Sequence, residues 1–163
     1  MKAAVWEGST PTLTVEEIPR PTPRRGEILL KVTACGVCHT DLHVLKSEVN
    51  FPAPAVLGHE VSGTIVELGP GNEHTGLEIG QKVAGGFLMP CGQCDACASG
   101  RDELCGPFFD LNRLKGLLYD GTTRLATPDG EPVAMYSMGG LAVTLALIAI
   151  SPNIMGIDPP EKT

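Results

Sequence analysis

The sequence predicts a mainly β fold with short helices, arranged as a small, partly open β-barrel decorated with loops. Three observations carry that expectation. Gly 20 and Pro 14 together exceed a fifth of the 163 residues, which suits many short strands and turns better than a helical bundle. Apolar, β-favouring runs recur at close spacing between those breaks. No strand–helix–strand alternation continues long enough to build a parallel nucleotide-binding sheet.

The elements follow in chain order. KAAVWE (2–7) and LTVEEI (13–18) are expected to pair as a hairpin across Gly8-Ser9-Thr10-Pro11. PRPTPRRG (19–26) is too rich in proline for a helix and leads into EILLKVTA (27–34), a strand candidate. CHTDLHVLKS (38–47) reads as the first helix, with polar residues at its start and Leu42 and Leu45 three apart. VSGTIVEL (61–68) and QKVAGGF (81–87) read as strands separated by GPGNEHTGLEIG, and YDGTTRL (119–125) carries an Asp-Gly turn. There is no internal repeat.

Length and composition bound the rest. The chain is one ordinary domain, or one domain with a short extension. Hydrophobic residues at 42% can bury a core, and aromatics at 4% leave that core to Val, Leu, Ile and Ala. A net charge of −7, with Lys and Arg dispersed apart from Arg24-Arg25, argues against nucleic acid and anionic membranes. The longest apolar run, LAVTLALIAI (141–150), is half of the roughly 20 residues a bilayer-spanning helix needs. The opening residues show no signal-peptide pattern. A cytoplasmic protein is expected, where clustered cysteines are metal ligands or reactive thiols more often than disulfides.

Four of the six cysteines fall in CGQCDACASGRDELC (91–105). Cys91, Cys94, Cys97 and Cys105 give C-x2-C-x2-C-x7-C. Four thiolates this close can surround Zn²⁺ tetrahedrally with sulfur at about 2.3 Å and leave no open position, which is the structural kind of site. Gly92 and Gly100 allow the tight wrap. An iron–sulfur cluster would share the first two spacings, but its fourth cysteine follows sooner. A disulfide pair would need an exporting context.

A second constellation combines ACGVCHTDLH (34–43) with LGHEVSG (57–63). Cys38, His59 and Glu60 are residue types that Zn²⁺ accepts, contributed by separate elements, as in catalytic sites. Spacing alone leaves the plainer reading open, since His-Glu pairs are common.

Taken together, these motifs resemble the zinc-containing alcohol dehydrogenases of the medium-chain dehydrogenase/reductase family. G-V-C-H-T-D (36–41), then Gly58, His59, Glu60, Gly63 and Gly69, then the four-cysteine segment occur in the family's order, over roughly 1–140. The resemblance implies a GroES-like β-barrel catalytic domain with a four-cysteine zinc lobe. It implies that Cys38 and His59 hold a catalytic zinc, with Glu60 a neighbouring carboxylate or exchangeable ligand. Asp41 would orient the His59 imidazole. Thr40 would take the alcohol proton and His43 would carry it towards solvent, while His39 would meet the cofactor pyrophosphate. Cys91, Cys94, Cys97 and Cys105 would hold the structural zinc. Gly36, Gly63 and Gly69 read as positions where a side chain would not fit. The substrate would be a small alcohol or aldehyde and the hydride acceptor NAD(P), the latter for the full-length family only; a homo-oligomer is compatible with this.

The sequence departs from the family in three ways. The family's catalytic zinc is usually completed by a cysteine beyond the point where the resemblance ends, and no cysteine follows Cys105; Cys35, three residues before Cys38, could in principle join Cys38 and His59 on one metal. Cys35 is otherwise a small buried residue at a strand end. No dinucleotide fingerprint is present: Gly69-Pro70-Gly71 is followed by Asn72, Glu73, His74 and no helix-like segment. The resemblance is expected to fade after YSMGGLA (136–142), dividing the chain into a catalytic domain over 1–140 and a divergent tail over 141–163. Truncation, a reading-frame shift and a naturally short protein all fit that tail. Two alternatives to an enzyme portion stand at this point: a non-catalytic zinc-binding module, and an inactive fragment whose run at 141–150 finds nothing to pack against.

Overall fold

The computed structural model describes residues 1–148 and 154–156. β1 (Lys2–Trp6) and β2 (Thr14–Glu17) form the expected hairpin, with Lys2 opposite Glu17 and Val5 opposite Thr14. β3 (Glu27–Gly36) is the long strand anticipated from EILLKVTA. Its first four residues, Glu27 to Leu30, are all buried, because partner strands flank them on both sides. One partner is β5 (Glu60–Leu68), paired antiparallel with shifts between Leu29/Leu30 and Val32/Ala34. Such bulges bend the strand and increase its twist, which curves the sheet.

Among the described residues two five-stranded sheets result. With β4 (Ala55–Val56), β7 (Leu125–Ala126) and β8 (Pro132–Met135), the first runs β2-β1-β4-β8-β7. With β6 (Lys82–Gly85), β9 (Thr144–Ile148) and β10 (Ile154–Gly156), the second runs β10-β6-β5-β3-β9. An isolated bridge between Ala3 and Ala142 links them, giving the partly open barrel. Pairing is antiparallel except between β4 and β8. The helical parts are short: α1 (His39–Leu45), α2 (Asp95–Ala98), and single turns at Asp102–Leu104 and Phe108–Arg113.

The expectation that the run at 141–150 finds no partner is corrected. β9 lies along the first half of β3, Thr144 facing Lys31 and Ile148 facing Glu27. Leu145 and Ala146 are fully buried, and covering a leucine contributes about 1.5–3 kcal/mol. β3 needed a second neighbour, and an alternating aliphatic strand supplies it. Positions 149 and 150 of that run lie outside the described residues.

The core is aliphatic, as the scarcity of aromatics requires. Ile28, Leu30, Val61, Ile65, Val83 and Leu145 form its centre, and Cys91, Cys94 and Cys97 pack against the same cluster. A smaller cluster gathers Trp6, Val44, Phe51, Leu57 and Tyr136 beneath α1. One ionic feature has no sequence signature. Arg124, with its side chain 5% exposed, donates from Nε to both carboxylate oxygens of Glu27 at 3.0 Å and from Nη2 to Asp120 Oδ2 at 2.8 Å. This fastens the Asp-Gly turn at 120–121 to the start of β3.

Candidate metal centre

α1 begins at Cys38, whose extended backbone is typical of a helix N-cap. Asp41, three residues on, reaches back and accepts the Cys38 N–H through Oδ2 at 3.0 Å. Its Oδ1 accepts the Gly58 N–H, also at 3.0 Å, from the segment leading into β5. One buried carboxylate therefore ties the start of the helix to the residue preceding His59. The ligand atoms of Cys38, His59 and Glu60 lie within 4.8 Å of one another. His59 is buried, Cys38 half-buried and Glu60 exposed, so the cluster is walled on one side and open on the other.

Glycine at 36 makes room for this. A Cβ there would sit 2.1 Å from Glu60 Oε2. Cβ atoms at 63 and 69 would sit 2.6 Å from the Lys31 carbonyl oxygen and 1.9 Å from that of Arg24. Gly63 and Gly69 are required by close approach of backbone oxygens, whereas at Gly36 the nearest group is the end of the Glu60 side chain.

Cys38, His59 and Asp41 are electrostatically coupled. The Thr40 hydroxyl, 3.4 Å from Cys38 Sγ, heads the contacts that hold the Cys38 thiol below its ordinary range, with His59 adding to it. Burial disfavours an ionised Asp41, yet His59 and the two N–H donors outweigh it and keep the carboxyl below its usual range. Burial likewise disfavours a charged His59, and Asp41 with Cys38 reverses that and raises it. His59 Nδ1 makes no well-aligned hydrogen bond, and Asp41 Oδ1 lies 3.4 Å from it. With Nδ1 turned to Asp41, Nε2 is the nitrogen available to a metal. Thiolate, imidazole and carboxylate match what Zn²⁺ takes.

Cys35 does not join. It is not among the side chains grouped with Cys38, His59 and Glu60. Its thiol is raised by burial, and its Sγ contacts the Gly36 carbonyl at 3.4 Å.

The second cluster is also assembled. The four sulfurs of Cys91, Cys94, Cys97 and Cys105 lie within 4.8 Å of one another, with Cys94 Sγ 3.5 Å from Cys97 Sγ and 4.0 Å from Cys105 Sγ. Gly92 and Gly100, both at φ +71, supply left-handed turns that fold the loop back on itself. The Cys97 N–H is foremost in lowering the Cys94 thiol to about 7, whereas burial pushes Cys97 up to about 12. Four sulfurs this close cannot all be thiolates without a cation between them. The Tyr119 hydroxyl donates to the Met89 carbonyl and anchors the entry to the loop.

The alcohol dehydrogenase GroES-like domain family model matches residues 24–142. The chain belongs to that family. The S-(hydroxymethyl)glutathione dehydrogenase of Escherichia coli is 39% identical over 159 residues, 97% of this chain and 42% of that protein. An alcohol dehydrogenase of Geobacillus stearothermophilus is 44% identical over 108 residues, 64% of this chain and 32% of that one. Among solved structures, an alcohol dehydrogenase zinc-binding domain protein from Burkholderia ambifaria superposes with a TM-score of 0.86 at 33% identity, covering 98% of this chain and 42% of that one. The chain thus spans a third to two-fifths of the length of the curated relatives it matches. The Escherichia coli match runs on into the tail.

The structure also places beside His59 two residues that sequence reasoning missed. The Phe87 ring lies 4.7 Å from that of His59, and the Tyr136 ring 5.9 Å from it. Burial pushes the Tyr136 phenol up to about 12. Four rings contact in the order Phe51, Tyr136, Phe87, Phe108, an arrangement that no spacing in the sequence marks. His43 and His39 sit one turn apart on α1, rings 4.8 Å apart and edge-on, and His43 Nδ1 meets Glu48.

Proposed function

We propose that these residues form the zinc-bearing catalytic part of an alcohol dehydrogenase that interconverts small alcohols and aldehydes. The observation that carries this reading is the convergence of Cys38, His59 and Glu60 within 4.8 Å, open on one side and backed by Asp41. Zinc, when held there, acts as a Lewis acid that makes an alcohol hydroxyl acidic near neutral pH. Thr40, its hydroxyl beside Cys38, accepts the substrate proton, and His43, half-exposed one turn further along α1, passes it to solvent. Phe87 and Tyr136 form the apolar wall that excludes water beside His59. Cys91, Cys94, Cys97 and Cys105 hold a structural zinc.

The hydride acceptor in this reading is NAD(P), bound by a second domain of the kind that the longer relatives have room for, with His39 facing its pyrophosphate. The catalytic unit covers 1–140, and within the tail over 141–163 β9 adds a strand beside β3. Turnover by the 163 residues alone is expected to be negligible. Six unpaired cysteines suit a reducing cytoplasm. Among the described residues no helix is long and apolar enough to cross a membrane.

Cobalt substitution tests the proposal. Co²⁺ in a Cys-His-carboxylate site has visible bands that respond to its ligands. Titrating the cobalt protein with a primary alcohol should shift those bands, and Cys38→Ser should abolish the shift. A spectrum indifferent to alcohol would refute an open catalytic site.

A further inference from the structure

α1 ends in an unusual way. Ser47, not glycine, adopts the left-handed conformation at φ +58. The Ser47 N–H donates to the Val44 carbonyl at 2.9 Å and the Glu48 N–H to the His43 carbonyl at 2.9 Å, the paired bonds of a Schellman ending. A β-carbon in that region is disfavoured by about 1–2 kcal/mol. The turn sends the chain back along the helix and sets Glu48 directly against His43. The side chain adds a second tie: the Glu48 carboxylate meets His43 Nδ1. No motif marks position 48, which lies beyond the histidine-bearing segment.

We propose that Glu48 is the positioning residue for His43: it accepts a hydrogen bond from Nδ1–H, fixes the imidazole tautomer and leaves Nε2 as the bare, proton-accepting nitrogen. This rests on the reading of His43 as the outer member of a proton relay. A neutral imidazole has one donor and one acceptor nitrogen, and which is which is set by its partner. A relay needs the same nitrogen to be basic in every turnover. His43 and Glu48 have side chains 43% and 50% exposed, so as a surface ion pair they contribute little to stability. Their geometry is better explained by ring orientation than by holding the fold. The His43 hydrogen bond is the main reason the Glu48 carboxyl lies below its usual range, with Lys46 and His39 adding in the same direction. The His39 ring, edge-on to His43, is the other group that limits rotation of the imidazole.

Long-range ¹H–¹⁵N correlation spectra of the intact ¹⁵N-labelled chain test this. At about pH 8.5, two units above the ordinary imidazole value of about 6.5, the tautomer is read directly. His43 signals are assigned by their loss in His43→Asn. The wild-type chain should carry the His43 proton on Nδ1, and Glu48→Ala should move the majority form to Nε2–H while amide shifts away from the end of α1 stay fixed. Glu48→Asp should keep a larger share of the Nδ1–H form than Glu48→Ala. A wild-type proton on Nε2, or populations unmoved by Glu48→Ala, would overturn the proposal. The readout involves neither metal nor turnover. An absent catalytic zinc would defeat the functional reading and leave this result standing.

Discussion

Asp41 Oδ1 lies 3.4 Å from His59 Nδ1 while Asp41 Oδ2 accepts the Cys38 N–H at 3.0 Å. One carboxylate thus contacts two candidate metal ligands from different elements. Replacing it by asparagine preserves shape and removes the charge facing the imidazole. Asp41→Asn is expected to weaken metal binding at Cys38 and His59 by about 10- to 100-fold, the usual effect of losing such a partner. The four-cysteine site should be unaffected. Competition titration with a chromophoric chelator, resolving two zinc equivalents, checks this.

Gly36 and Gly69 should respond to alanine in opposite ways. At 69 the new Cβ would lie 1.9 Å from the Arg24 carbonyl oxygen, a backbone atom that can yield only if the strand moves. Overpacking of that kind costs about 1–3 kcal/mol, visible as a lower denaturant midpoint for Gly69→Ala. At 36 the nearest atom is Glu60 Oε2 at 2.1 Å, the far end of a flexible side chain. Gly36→Ala should leave the midpoint near wild type and displace Glu60, so its effect appears in zinc retention. Equal loss of stability in both would contradict this.

The four-cysteine loop should depend on its metal. Zinc in small modules contributes about 10–16 kcal/mol of apparent binding energy, comparable with a domain's whole stability of about 5–15 kcal/mol. Cys105→Ser should release one zinc and make residues 91–105 the first site of proteolytic cleavage. Limited proteolysis with mass spectrometry reads this; an uncleaved loop in the metal-free variant would contradict it.

Asp120 predicts part of the acid limb of stability. Burial opposes its charge, but Arg124 and Thr122 outweigh that and hold the carboxyl well below its usual range. A depressed folded-state value contributes stability above the unfolded value of about 3.9, lost as pH falls below it. Asp120→Asn should flatten the decline of stability below about pH 4 without changing its shape near neutrality. Urea midpoints measured across that range provide the comparison.

Much of the fold and most of the candidate centre were legible in the sequence because they rest on local chemistry. The β1–β2 hairpin, β3, α1 and β5 follow from apolar runs between turn residues. The cysteine loop is legible from spacing, since four ligands within fifteen positions need no long-range folding to meet. Legibility ended where contacts are long-range. The Glu27–Arg124 pair links residues far apart in sequence, and neither position is distinctive alone. Phe87 and Tyr136 reach His59 only through the sheet. The role of 144–148 was hidden because an aliphatic run has no meaning until β3 is seen to lack a neighbour. Glu48 depends on a left-handed serine that propensity does not predict.

Zinc stoichiometry of the purified chain is the most direct measurement. Two equivalents are predicted, falling to one in Cys38→Ser and to one in Cys105→Ser, with the alcohol-responsive cobalt bands lost in the first variant alone. A wild-type chain with a single equivalent, retained in full by Cys38→Ser, would contradict a catalytic metal position at Cys38 and His59.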